Sequence, residues 1–316
     1  MKFRKISSLL IAAALLISGC ASGNGKVAMQ IGDKKITEGA VKFVAEYGLN
    51  SSDVDAAAEF IEQNYLVNEI ASELGVTLSD EEHKNIRSAV ASFKSQMGGK
   101  KAGDKILKEF GIDDSVLEAV LSTSTYAQKI SEQIKADEAA DEEMKQYFED
   151  EYLRAKHILI STQDQTTGEE FDEAKKAEAE KKANEILERA KNGEDFDALI
   201  TEFNEDPGMS ANPDGYFFTH GEMVPEFENA VKSVQPEEIT ICKSDFGYHI
   251  IKRLPLAKSD ENFEKFFEDN KTAVQSGISE KKQKDAVAKK AEELGIQVTV
   301  NQDVIDSIVL ESEDSE

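Results

Sequence analysis

Residues 154–161 read Arg-Ala-Lys-His-Ile-Leu-Ile-Ser, and residues 245–253 read Asp-Phe-Gly-Tyr-His-Ile-Ile-Lys-Arg. Each is a short strand pattern with one histidine at its centre, and the two lie about ninety residues apart. Between them the pattern predicts a helix over 171–191 closed by Asn192-Gly193 and a shorter one over 195–203. A loop rich in Pro, Gly and Asn follows, then a helix over 224–234 and a closing hairpin of 238–242 with 248–254. Short strands joined by connections this brief cannot all be parallel, and the expectation is an α+β domain, an antiparallel sheet surrounded by helices.

The loop carries Asp206-Pro207-Gly208, then Asp214-Gly215-Tyr216-Phe217, then Gly221-Glu222-Met223-Val224-Pro225-Glu226-Phe227. With the two histidine strands, these motifs make one contiguous stretch, 152–255, that resembles the parvulin family of peptidyl-prolyl cis-trans isomerases. With its flanks, the whole chain resembles the PrsA-type foldase lipoproteins. A lone histidine in an apolar strand is usually a satisfied core residue. In this setting, however, the resemblance implies that His157 and His249 form the family's tandem pair and that Asp206 tunes the electrostatics around the substrate carbonyl. It further implies that Phe217, Met223 and Phe227 line an apolar proline pocket, and that a fourth strand before the 224–234 helix makes the antiparallel sheet four-stranded.

The reaction suits that inventory. The barrier of about 18–20 kcal/mol to amide rotation comes from resonance that is lost as the C–N bond twists. Catalysis therefore needs a cup for the proline ring and polar groups that favour the twisted amide. It needs no nucleophile, metal or other cofactor, and the sequence has no zinc-type ligand spacing, phosphate loop or serine nucleophile motif. Two departures from the family pattern stand out. Its Gly-Asp-Leu-Gly is shortened to Pro213-Asp214-Gly215, which removes an apolar residue of the pocket wall, and Phe246 stands where some relatives carry a hydroxyl. Segment 162–170 lacks any positive charge to receive a phosphate, so phosphorylated substrates are not expected.

The N-terminus reads as an export address. Lys2, Arg4 and Lys5 precede the apolar run 6–17, too short for a permanent span, and the run ends in Ile17-Ser18-Gly19-Cys20. This is expected to be a lipoprotein signal over 1–19, with Cys20 as the lipidated residue and 20–26 as a tether. The protein would then be extracytoplasmic and attached to the cell membrane by that lipid. A net charge of −26 argues against nucleic-acid binding and for standing off anionic headgroups.

The flanks are mainly helical. A hairpin is expected over 27–36, with helices over 53–74, from a Ser79/Glu82 capping box to 97, over 104–110, over 114–135 and over 139–150. By the same resemblance they imply a helical chaperone module at 27–151, completed by 256–310 through a helix over 260–294, with strand or return segments at 296–300 and 304–310. The acidic tail 311–316 is expected to be disordered. His83 and His220 read as incidental, and Cys242 as a half-buried strand residue. The function expected is an isomerase and foldase for unfolded exported polypeptides containing Xaa-Pro bonds. The alternative is a lipid-anchored holdase whose isomerase domain is inactive.

Overall fold

The computed structural model describes residues 25–51 and 53–310. The signal segment, Cys20 and the tail 311–316 lie outside the described residues. The described chain divides into two compact units. One holds the residues up to Ile134 and those from Ala286 onward, and the other is Lys135–Asp285.

In the first unit β1 (Val27–Ile31) and β2 (Lys34–Thr37) form the expected hairpin, which turns at Gly32 with φ 54°. Next come α1 (Glu38–Phe43) and a π-helical turn Val44–Leu49, two elements the sequence reading left unassigned. α2 (Val54–Glu73) starts on Asp53, whose side chain accepts from Ala56 N at 2.9 Å. α3 (Asp80–Gln96) opens with the predicted box: Ser79 N donates to Glu82 at 2.6 Å and Glu82 N to Ser79 Oγ at 3.3 Å. α4 (Lys100–Glu109) begins earlier than 104, directly behind Gly98 and Gly99, both at positive φ, and α5 (Asp114–Lys129) stops short of 135. The ammonium of Lys94 on α3 binds both Asp104 and Asp114, tying three helices together around a buried stem. Gly103 is required beside it, because a Cβ there would lie 2.7 Å from the Lys94 side chain. Charged hydrogen bonds of this kind contribute about 2 kcal/mol, so Lys94→Ala is expected to lower the chemical unfolding midpoint by roughly that equivalent.

The second unit begins with α6 (Asp141–Glu151) and β3 (Leu153–Ser161). α7 (Glu173–Lys191), α8 (Phe196–Phe203) and a single turn, α9 (Gly208–Ala211), lead to β4 (Tyr216–Phe218). α10 (Pro225–Lys232) precedes the hairpin of β5 (Ile239–Ser244) and β6 (Gly247–Leu254). The sheet is antiparallel throughout, in the order β4-β3-β6-β5, as the strand lengths and short connections required. Strand alternation sorts its side chains. Ile158, Ile160 and Ile250 pack on α7 and α8, whereas Ala155, Ile251 and Phe218 pack under α10 on Phe227 and Val231.

A third cluster joins Met144, Phe148 and Tyr152 to Phe263, Phe266, Phe267 and Val274 on α11 (Phe263–Glu293), with Phe217 against it. The compact unit is therefore longer than the expected 152–255. The aromatic side chains of α6 and α11 bury themselves on this sheet, and the first unit begins again only at Ala286. There β7 (Val298–Val300) pairs with β1 and closes the sheet β2-β1-β7. Instead of a strand or return at 304–310, α12 (Gln302–Ile305) forms, because the Asn301 side chain accepts from Val304 N and starts a helical turn. Val304 and Ile305 are buried in the first core.

Candidate active site

The register of β3 on β6 puts Leu159 opposite His249 and His157 opposite Ile251, so the two histidines are diagonal neighbours on one face. Their rings stack at 5.2 Å with Nδ1 atoms 3.1 Å apart. His157 Nε2 is 2.7 Å from Asp206 Oδ2, and His249 Nε2 is 2.7 Å from Ser244 Oγ. One continuous line thus runs Ser244, His249, His157, Asp206. Both imidazoles are buried, and no buried side-chain polar atom among the described residues lacks a partner.

Asp206 is delivered by a loop sewn to the free side of β3. Leu159 N donates to Asn204 Oδ1 at 2.9 Å, and Glu205 N donates to Leu159 O at 3.0 Å. Asn204 in turn bonds the backbone of Asp206 on both sides, at 2.6 and 3.1 Å. The carboxylate accepts from His157, from Gly208 N at 2.8 Å and from the Tyr216 hydroxyl at 2.8 Å. The His157 hydrogen bond, followed by those from Gly208 and Tyr216, holds its pKa well below the usual carboxylate range. Burial, then the neighbouring His157, pushes His249 down to about 4. With Asp206 ionised and both rings neutral, the donors all run one way: Ser244 to His249, His249 to His157, His157 to Asp206.

This arrangement sets a pH dependence. Unfolded, His249 takes a proton near 6.5; folded, only near 4. Between these values the unfolded state binds more protons, so lowering the pH through this window favours unfolding, by up to about 3 kcal/mol. Asp206 acts in the same direction further down, since the stability of a depressed carboxylate is present above its unfolded pKa and lost below it. The melting temperature is expected to fall from pH 6.5 to 4, and His249→Gln should flatten that slope relative to the parent.

Phe227 presents its ring edge-on to both histidines, at 5.2 and 5.6 Å, and Met223 packs beside it. The loop that carries Met223 is tied down by the buried Glu228, which receives His220 Nδ1 at 2.6 Å, Gly221 N at 2.8 Å and the Lys232 ammonium. His220, read as incidental, thus belongs to the loop's support. Cys242 lies directly across from His249, and burial pushes its thiol up to about 11, which leaves no nucleophile there.

Phe217 does not join this group. It pairs with Arg154, and its ring stacks on Phe148 at 5.8 Å and meets Phe266 at 5.2 Å, on the opposite face of the sheet. Its neighbours take its place: Tyr216 is paired with Ala155, and Phe218, paired with Leu153, lies 5.8 Å from Phe227. The correction is one residue of register, which in a strand moves a side chain to the other face. Two further partners were not anticipated, Ser244 and Tyr216. Ser244 had a signal, as the hydroxyl closing β5 one tight turn before His249.

Residues 139–254 match the PPIC-type PPIASE domain family. The chain is 27% identical over 306 residues to the foldase protein PrsA of Halalkalibacterium halodurans, covering 91% of this chain and 84% of that protein. It is 29% identical over 244 residues to the foldase protein PrsA of Caldanaerobacter subterraneus, covering 75% and 69% respectively. The crystal structure of PrsA from Bacillus subtilis aligns over 93% of this chain and 96% of that one, at 21% identity and a TM-score of 0.29.

Proposed function

We propose, for a chain of the PrsA foldase type with a parvulin-type peptidyl-prolyl isomerase domain at 139–254, that it works outside the cytoplasm, held to the membrane by a lipid on Cys20. It accelerates Xaa-Pro isomerisation in exported polypeptides that are still unfolded. Such chains carry about 10–30% cis bonds that interconvert over tens to hundreds of seconds, slow enough to limit folding. The mainly helical first unit, up to Ile134 and from Ala286 onward, holds the client while the isomerase acts. No helix among the described residues is long and apolar enough to cross a membrane.

The observation that carries the catalytic reading is the hydrogen-bonded line from Ser244 to Asp206 with the Phe227 ring standing over both histidines. Met223, Phe227 and Phe218 form the apolar cup, with Tyr216 packed against them. His157, His249 and Asp206 form the polar side. In a planar amide, resonance places negative charge on the carbonyl oxygen, and twisting withdraws it. A fixed carboxylate nearby favours the twisted form, and the buried histidines hold that charge in place without transferring a proton. Every step is non-covalent.

The test uses the full chain and a short unphosphorylated Xaa-Pro peptide, with cis-trans exchange followed by NMR. The parent is expected to accelerate exchange, and His249→Ala to lose at least about tenfold. A phosphorylated peptide should gain nothing, because the charged side chains of segment 162–170 are all carboxylates. No acceleration by a folded parent would overturn the isomerase assignment in favour of a holdase.

A further inference from the structure

We infer that Tyr216 is a positioning residue for isomerisation, its phenol fixing the plane of the Asp206 carboxylate that His157 engages; this rests on the His157/His249/Asp206 reading above. Three donors converge on that carboxylate from three separate segments. Oδ1 takes Gly208 N, and Oδ2 takes both His157 Nε2 and the Tyr216 hydroxyl. Asn204 fixes the backbone of Asp206, His157 and Gly208 N each hold one carboxylate oxygen, and the phenol adds a third anchor to the side chain. Without Tyr216 each oxygen would keep a single donor, leaving the carboxylate plane freer to rock about the Cβ–Cγ bond. The second hydrogen bond on Oδ2 comes from a different strand and narrows that rocking.

Two features hold the phenol in position. Tyr216 lies on β4 in register with Ala155, immediately after Gly215. Gly215 has φ 93° and passes so close to β3 that a Cβ would lie 2.9 Å from the Ala155 carbonyl oxygen. At the other end the hydroxyl is seated against Gly208, where a Cβ would come within 2.1 Å of it. Gly208 is thus the residue that lets the phenol reach Asp206 at all. The ring sits 5.7 Å from His157, on the site side of the sheet. Burial and the adjacent carboxylate keep the phenol protonated well above the usual tyrosine range, so it is a permanent donor. It takes no part in the Ser244-to-His157 line and acts on the reaction only through Asp206.

The experiment measures kcat and KM of the full chain on the unphosphorylated peptide for Tyr216→Phe, Gly208→Ala, Asp206→Asn and the Tyr216→Phe/Asp206→Asn double variant. Tyr216→Phe keeps the ring and is expected to lower kcat about five- to tenfold with KM within about twofold. Gly208→Ala, which keeps the phenol but displaces it, should lose a similar factor. The double variant should be no slower than Asp206→Asn alone, the outcome required if the hydroxyl acts through the carboxylate. In the NMR spectrum of Tyr216→Phe the His157 Nε2-bound proton should move downfield, since it no longer shares Oδ2. A purely structural role would leave that resonance in place. If Asp206→Asn is impaired while Tyr216→Phe keeps parental kcat, the inference about Tyr216 is overturned and the site reading survives. Additive losses in the double variant would make the phenol a direct substrate contact, which also overturns it. Parental activity in Asp206→Asn would sink the site reading, and this inference with it.

Discussion

Asp206→Asn is expected to lower isomerase turnover roughly a hundredfold while leaving the chain folded, the size of loss seen when one preorganised electrostatic group is removed from a buried site. The substitution is nearly isosteric, so the loop and its Asn204 anchor stay where they are. What changes is the count of acceptors. The carboxylate receives three donors on two oxygens, and asparagine offers one oxygen and one NH2 group. If its oxygen faces His157 and Tyr216, the amide NH2 points at Gly208 N–H; if it is flipped, the NH2 opposes both ring and phenol. Either way a donor loses its partner, at about 1–3 kcal/mol. The negative charge that opposes conjugation in the substrate amide is lost as well. Peptide exchange by NMR reads the turnover, and a thermal melt reads the fold. Turnover within a few-fold of the parent, from a variant that melts normally, would remove Asp206 from the chemistry and leave it a loop-capping residue.

The parts of this site that were legible in the sequence are those whose signal is local. His157 and His249 each sit inside a period-2 apolar pattern long enough to fix which face they share, and Asp206 sits in a turn motif of recognisable shape. Phe217 was misplaced for the converse reason. Tyr-Phe-Phe is aromatic at every position, so it carries no alternation to say which ring faces the histidines. Only the pairing of Leu153 with Phe218 and of Ala155 with Tyr216 decides it, and pairing is long-range information. Glu228 and Tyr216 were invisible on the same ground, since their partners lie across a loop or across the sheet. Asn301 shows the limit at the other end of the chain: a cap was present in the sequence, but the short apolar run behind it suits a strand as well as a helical turn.

Phe148→Ala is expected to destabilise the second unit by about 3–5 kcal/mol, the largest stability loss we anticipate from one substitution in that unit. Phe148 is fully buried on α6 and touches four other rings: Tyr152 at 5.0 Å, Phe263 at 5.6 Å, Phe217 at 5.8 Å and Phe267 at 6.1 Å. Truncation leaves a cavity whose walls come from α6, β4 and α11 together, and rings this size cannot collapse to fill it. None of its partners lies on the histidine side of the sheet. Arg154, which stacks on Phe266 at 4.1 Å and donates to the backbone of Asp214 and Pro255, links that cluster to β3 and to the turn before β4. The variant should therefore melt earlier but, at a temperature where it is folded, isomerise peptide at close to the parental rate. That separation is the decisive result. If turnover falls with stability intact, the aromatic cluster reaches the site through β4, and α6 and α11 belong to the catalytic machinery. If neither changes, the two helices are not part of the cooperative unit, and the isomerase fold stands on its four strands and their nearer helices alone.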